Sequence, residues 1–243
     1  KGWTSETAIE LPAGEVRSLA CFQAAIALTR GKPTIAFNAS KLVLARRGRR
    51  GWTRETLLEE RNEGSPELDL AVAGNVPYVF FHSAGSDPTV LLAHGSSSRA
   101  QWLGPDSKNA NDSFGGGALA VLGKEAHAVW APGGRSSSKR PMFLHARSEG
   151  GPFEAPTAVV GEQGTDLGPR VGASTEELFV LTSELLPGKH ALYLSTLRRG
   201  KWRHKTVGHF GGRGFDVVDL QLAIAKDGTP HVLLVCGGSK HSI

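Results

Sequence analysis

Apolar residues along this chain alternate with polar ones in short runs, at the period of a strand and not that of a helix. One set of runs reads "QAAIAL", "ELDLAV", "GGALAV", "GPRVGA" and "DLQLAI". Each is followed by a turn, mostly with glycine: "TRGKP", "AGNVP", "LGKEA", "ASTEE" and "KDGTP". A second set follows, "PTIAF", "PYVFF", "AHAVW", "ELFVL" and "PHVLLV", and then a third, "KLVLARR", "TVLLAHG", "PMFLHAR" and "HALYLST". Valine, isoleucine, leucine and aromatics fill the runs, and Gly, Pro, Asn and Asp fill the gaps, which is the signature of strands.

An aromatic phrase recurs with the same period. "GWTSET" holds Trp3, "GWTRET" Trp52, "QWLGPD" Trp102, "PFEAPT" Phe153 and "KWRHKT" Trp202, so the spacings are 49, 50, 51 and 49. Four strands in a repeat of about 50 residues is the pattern of a β-propeller blade. The expected fold is all-β, a five-bladed β-propeller of four-stranded antiparallel blades, forming a single domain over residues 1–243. The chain opens on the phrase that ends each repeat, and it ends on the first two runs of another repeat and the start of a third, "KHSI". Residues 2–7 are therefore expected to complete the last blade, so that the N-terminal strand closes the ring and removes its open edges.

The repeats "GKPTIAF", "KLVLARRGRRGWTRETL" and "KDGTPHVLLV" resemble blades of the sialidase-like (BNR-type) propellers. The resemblance covers the whole chain as a style of repeat. It implies a propeller fold and an extracellular or periplasmic location. It does not imply sialidase activity. The Asp-box pattern Ser-x-Asp-x-Gly-x-x-Trp is absent from every repeat, Arg170 alone stands where an arginine triad would be, and sialidase-like enzymes usually have six blades. Five-bladed folds of similar architecture include furanosidases with three axial carboxylates and a lectin type that binds one sugar per blade.

Aligning the innermost runs gives two layers facing the axis. One layer is Gln23, Glu67, Gly116, Gly168 and Asp219; two residues deeper stand Ala25, Asp69, Ala118, Arg170 and Gln221. Because side chains alternate along a strand, both layers share one side. Glu67, Asp69 and Asp219 with Arg170 suit a glycan-cleaving enzyme, in which paired carboxylates divide acid and base roles. The same residues suit a polar, water-filled channel with Arg170 neutralising a carboxylate. The two glycines are expected to leave the channel mouth widest beside blades 3 and 4.

The loop face gathers a second group: Trp130, His82, Asp112, Arg135, His209, Phe210, Arg213 and Asp216, with Phe215 beside them. An aromatic platform flanked by forked polar groups is what sugar binding needs. Trp130 also reads as core between blades. The leading expectation is a secreted, lectin-like, carbohydrate-binding module using the loop face and channel mouth. Alternatives are a glycan-cleaving hydrolase or lyase with the axial carboxylates, and a protein-interaction scaffold.

Composition narrows the partners. Hydrophobic residues make up 40% of the chain, enough for a core, and no run approaches the length of a membrane span. Net charge is +5, and basic residues cluster in "ARRGRRGW" and "LRRGKWRHK", which suit an acidic polymer or a solvated turn; a nucleic-acid partner is not expected. The nine histidines show neither HxH nor HExxH spacing, so no metal or cofactor is expected beyond Ca²⁺ as an alternative at the axial carboxylates. Cys21 and Cys236 fall on the same face at the two ends of the repeat series, where they are expected to form a disulfide or stay as free buried thiols.

Overall fold

The structure is a computed structural model. It describes residues 7, 23–38, 41–58, 67–82, 89–94, 97–103, 116–131, 143–159, 168–186, 189–211 and 215–238. These residues form strands and turns and no helix, so no helix is long and apolar enough to cross a membrane.

The described residues make eighteen strands in five antiparallel sheets. The first holds β1 (Gln23–Thr29), β2 (Lys32–Asn38), β3 (Leu42–Arg47) and β4 (Trp52–Leu58). The second holds β5 (Glu67–Ala73), β6 (Val76–His82), β7 (Thr89–His94) and β8 (Ser97–Trp102). The third holds β9 (Gly117–Leu122), β10 (Glu125–Trp130), β11 (Phe143–Ser148) and β12 (Thr157–Val159). The fourth holds β13 (Arg170–Ala173), β14 (Glu177–Leu186), β15 (Lys189–Arg198) and β16 (Lys201–Phe210). The fifth has two strands, β17 (Phe215–Ile224) and β18 (Pro230–Gly238). Within each sheet the strands follow chain order, as hairpins dictate. Two of the tight turns, Arg30–Gly31 (φ 52° and 71°) and Arg199–Gly200 (49° and 74°), place both central residues left-handed, the twist that a two-residue hairpin favours.

The sheets pack face to face, and most of them are buried on both sides. This explains why the second runs read as nearly continuous apolar stretches. In β6, Tyr78 and Phe80 turn to the third sheet, where Trp130, Leu119 and Phe153 meet them. Val79 and Phe81 turn the other way, onto Leu42 and Leu44 of the first sheet. Val129 and Phe143 meet Leu178 and Val180 between sheets three and four, and Leu181 and Leu192 meet Leu220 between sheets four and five.

The inner strands pack in the series β1, β5, β9, β13, β17. Among the described residues the series is open, because β17 does not pack on β1 as the other neighbours pack on each other. Four sheets thus have the expected four antiparallel strands, and among the described residues the sheets do not close into a ring of five such blades. The physical correlate is an uncovered face at each end: Ile26 and Leu28 on β1 are 67% and 64% exposed, and Leu233 on β18 is 61% exposed. Residues 2–6, Cys21 and 239–243 lie outside the described residues, and the expected closure lies with them. Cys236 is a free, exposed thiol in β18, which corrects both expectations for it, the disulfide and the buried thiol.

In the four-stranded sheets the aromatic phrase falls at the fourth strand, as expected, but not at one position within it. Trp52 opens β4 and Trp202 is the second residue of β16, but Trp102 ends β8 and Phe153 precedes β12. Two of these aromatics, Phe153 and Trp202, pack between sheets. Phe153 meets Tyr78 edge-on with ring centres 5.4 Å apart, and Trp202 meets Phe143 edge-on at 5.1 Å.

Candidate functional site

All five inner strands line one axial cavity of about 670 Å³. Its wall includes Ala25 from β1, Asp69 from β5, Ala118 from β9, Arg170 from β13 and Gln221 from β17, the whole of the deeper layer read from the sequence. Strand alternation brings them there: Leu68 and Leu70 flank Asp69, and Leu70 goes into the core between sheets one and two. Of the upper layer, Gln23 lines the cavity. Glu67 opens β5 and pairs with His82 in the backbone register; the structure does not describe either side chain. Gly116 and Gly168 are buried, and their carbonyls accept hydrogen bonds from the Ala131 amide and from Arg170. They serve as backbone acceptors.

The two described carboxylates are held by donors. Asp69 accepts from its own strand through the Leu70 N–H at 2.8 Å, and from the next sheet through the Leu119 N–H at 2.7 Å. One carboxyl thereby clasps β5 to β9. Asp219 accepts from the Leu220 N–H at 2.7 Å and from the Gln221 side-chain amide at 3.0 Å. Arg170 crosses from β13 to β17, donating from Nε to the Leu220 carbonyl at 2.7 Å and from a terminal nitrogen to Asp219 at 3.3 Å. The Gln221 amide first, then the Leu220 N–H and Arg170, hold the Asp219 carboxyl below the usual carboxylate range. Asp219 is thus favoured as an anion, and Asp69 is held in place by two backbone donors. Such groups can orient a water, accept a proton or stabilise developing positive charge; a proton donor needs the opposite environment.

Of the loop-face group, the three with described side chains, Trp130, His209 and Phe210, do not line this cavity. Trp130 is wholly buried between sheets two and three, with no exposed ring to offer a sugar. This is a correction to its place in a binding platform, and its cause is the β9–β10 register that turns it inward beside Phe80. Phe210 packs against the core between sheets four and five. His209 is exposed on β16, opposite Ala191. Asp216 lies in β17 with its side chain undescribed, and Asp112, Arg135 and Arg213 lie outside the described residues.

Three pairings escaped the sequence reading. His127 Nδ1 and His145 Nε2 are 2.9 Å apart in the core, Ser195 Oγ and His204 Nδ1 2.8 Å, and Tyr193 donates to Glu184 at 3.2 Å. Each joins neighbouring strands of one sheet, so only the register reveals it. Ser195 is fully buried, which keeps its hydroxyl from a substrate. Among the described residues, no group of three or more His, Cys, Asp or Glu side chains could hold a metal ion.

No protein-family model and no curated protein matches the chain. Solved structures do. An α-L-arabinofuranosidase from Lactobacillus brevis aligns over 96% of this chain and 89% of its own, at TM-score 0.52 and 13% identity. An α-L-arabinanase from Penicillium chrysogenum, complexed with arabinobiose, aligns over 94% and 80%, at TM-score 0.58 and 9% identity. Neither is a sialidase. The likeness is one of fold alone.

Proposed function

We propose that the protein acts on a glycan, as a glycoside hydrolase whose sugar reaches the axial cavity. The observation that supports this reading most directly is the placing of Asp69, Arg170 and Gln221 on three different inner strands around one open cavity. Arabinose-containing glycans are the substrate class to try first, because proteins of similar fold are an arabinofuranosidase and an arabinanase. In this reading Asp69 and Asp219 supply fixed negative charge and orient water, as their N–H donors favour. Glu67, two positions before Asp69 on β5, is the candidate for the general acid.

A second reading is a binding module, and one observation favours it. Asp219 is bridged by Arg170, and a neutralised pair can hold sugar hydroxyls without moving a proton.

One experiment separates them. The full chain is incubated with aryl α-L-arabinofuranoside and with arabinan oligosaccharides, and binding of the oligosaccharides is followed by calorimetry. Hydrolysis that falls about 100-fold or more in Asp219→Asn, with binding kept, supports the hydrolase. Binding without turnover supports the module. Neither binding nor turnover on a broader glycan panel would remove the glycan reading.

A further inference from the structure

The first residues of β1, β5, β9 and β13 line the axial cavity, so the cavity lies at the end where these strands begin. At that end sheet four overhangs. β13 has four residues, but β14, β15 and β16 have ten each, where the described strands of sheets one and two have six or seven. Arg170 of the cavity wall pairs with Leu181, and β14 runs on past it to Leu186. Glu184 stands three residues beyond Leu181 and one strand out, about 11 Å from Arg170 along the backbone lattice.

The overhang carries a polar cluster of its own. On the face turned to sheet three, Thr182, Tyr193 and Thr206 form one row across β14, β15 and β16, and Glu184, Ala191 and His209 form the next. Tyr193 donates its O–H to Glu184 Oε2 at 3.2 Å. Thr182 is 1% exposed, and its hydroxyl has no hydrogen-bond partner. Glu184 and Tyr193 are half-buried, and Thr206 and His209 are exposed. Burial raises the Glu184 carboxyl above its ordinary range, against the pull of the Tyr193 hydroxyl, so it is not a freely solvated surface group.

A bulge completes the face. Tyr193 pairs with Thr206 but Leu192 with Gly208, which makes Val207 an extra residue in β16. Thr206 and His209 are three apart and would fall on opposite sides of a regular strand. The bulge brings both to the side of Glu184 and Tyr193.

We propose that this face of sheet four is a second sugar subsite, and that the ligand is a chain of several sugars reaching from the axial cavity to it. The proposal rests on the glycan reading above. A carboxyl and a phenol held together, with hydroxyl and imidazole groups on the neighbouring strand, give forked donors and acceptors for sugar hydroxyls. The Tyr193 ring adds an apolar surface beside them. The distance from Arg170 is too long for one sugar and within the reach of a short oligosaccharide.

Calorimetry on the full chain with arabinan oligosaccharides of two and of five sugars tests this, beside Tyr193→Phe and Glu184→Gln. The natural chain is expected to bind the longer ligand about 10-fold more tightly, the worth of one or two net hydrogen bonds. Each variant is expected to bring that ratio toward unity. Hydrogen exchange on the natural chain gives a readout that needs no variant: the longer ligand slows exchange at the Glu184 end of β14 and the His209 end of β16, and the shorter one does not. If another glycan of the broader panel binds instead, its short and long forms are compared in the same way. An unchanged ratio in both variants, or protection confined to the inner strands, would overturn the subsite and leave glycan binding in place. Absence of binding by every glycan at either length would overturn the subsite together with the reading it rests on.

Discussion

His127 Nδ1 lies 2.9 Å from His145 Nε2, with the two rings stacked 14° from parallel. They sit diagonally across β10 and β11, and Trp202 caps His145 edge-on at 5.3 Å. One ring must donate and the other accept, so the accepting imidazole must be neutral and the contact is lost when both are protonated. Burial, and then Arg147 for His127 and the neighbouring His127 for His145, push both down from the ordinary 6.5 to about 4.

A pH dependence of stability follows. The unfolded chain binds protons at these two sites from about pH 6.5 downward, and the folded chain only near pH 4. The stabilisation is therefore complete above pH 6.5 and is lost as pH falls from 6.5 to 4. The loss is on the order of 3 kcal/mol for each imidazole. Denaturant melts at pH 7, 5.5 and 4.5 should show a steep decline that His145→Phe flattens. A variant with the same decline as the natural chain would place the acid sensitivity elsewhere.

Gly117 is required by the approach of Phe80. A Cβ at Gly117 would stand 2.2 Å from the Phe80 ring, and that ring is fully buried in the core between sheets two and three. Gly117→Ala is expected to cost about 1–3 kcal/mol by overpacking, a fall in Tm of about 2–4 °C per kcal/mol for a chain of this size. Gly172→Ala meets the more adaptable Ile224 side chain at 2.8 Å and should cost less. Equal melting temperatures for the two variants would count against the account.

How much of this was legible beforehand depended on the range of the signal. The alternation in "ELDLAV" located β5 and put Asp69 toward the axis, because a two-residue period is written in neighbouring residues. The pairing of His127 with His145 was not legible, since it depends on a register between strands joined by residues 131–142. Trp130 shows the reverse error. A tryptophan after an apolar run reads equally as core or as platform, and only the close sheet-to-sheet contact decides for core.

Arg170 ties sheet four to sheet five at the cavity wall, and its loss should be felt there first. Its Nε–H is the donor to the Leu220 carbonyl, and a lysine at this place has no fork to reach Gly168, Leu220 and Asp219 together. Arg170→Lys is expected to cost about 1–2 kcal/mol in a denaturant melt and to raise exchange in β17 and β18 above that in β5 and β6. A uniform rise across all sheets would mean that the tether is not local.

Asp69 and Asp219 are expected to separate when stability and chemistry are measured on the same variants. Asp69 spends one oxygen on the Leu119 N–H of the adjoining sheet, and Leu119 is buried in that interface. Asp69→Ala leaves this donor without an acceptor, at a cost of about 1–3 kcal/mol. Asp69→Asn keeps one acceptor oxygen for Leu119, but its amide nitrogen then faces the Leu70 N–H, so it should lose less. Asp219 is more open, with a side chain 41% exposed and its donors on its own strand and on Arg170. Water can replace what Asp219→Ala removes, and its melt should lie close to that of the natural chain. If the cavity cleaves glycans, both alanine variants lose turnover, but only the Asp69 variant loses stability with it. If the cavity only binds, oligosaccharide affinity falls in Asp219→Ala with the melt unchanged. A stable Asp69→Ala protein would remove the clasp between β5 and β9 from the account and leave Asp69 free for chemistry alone.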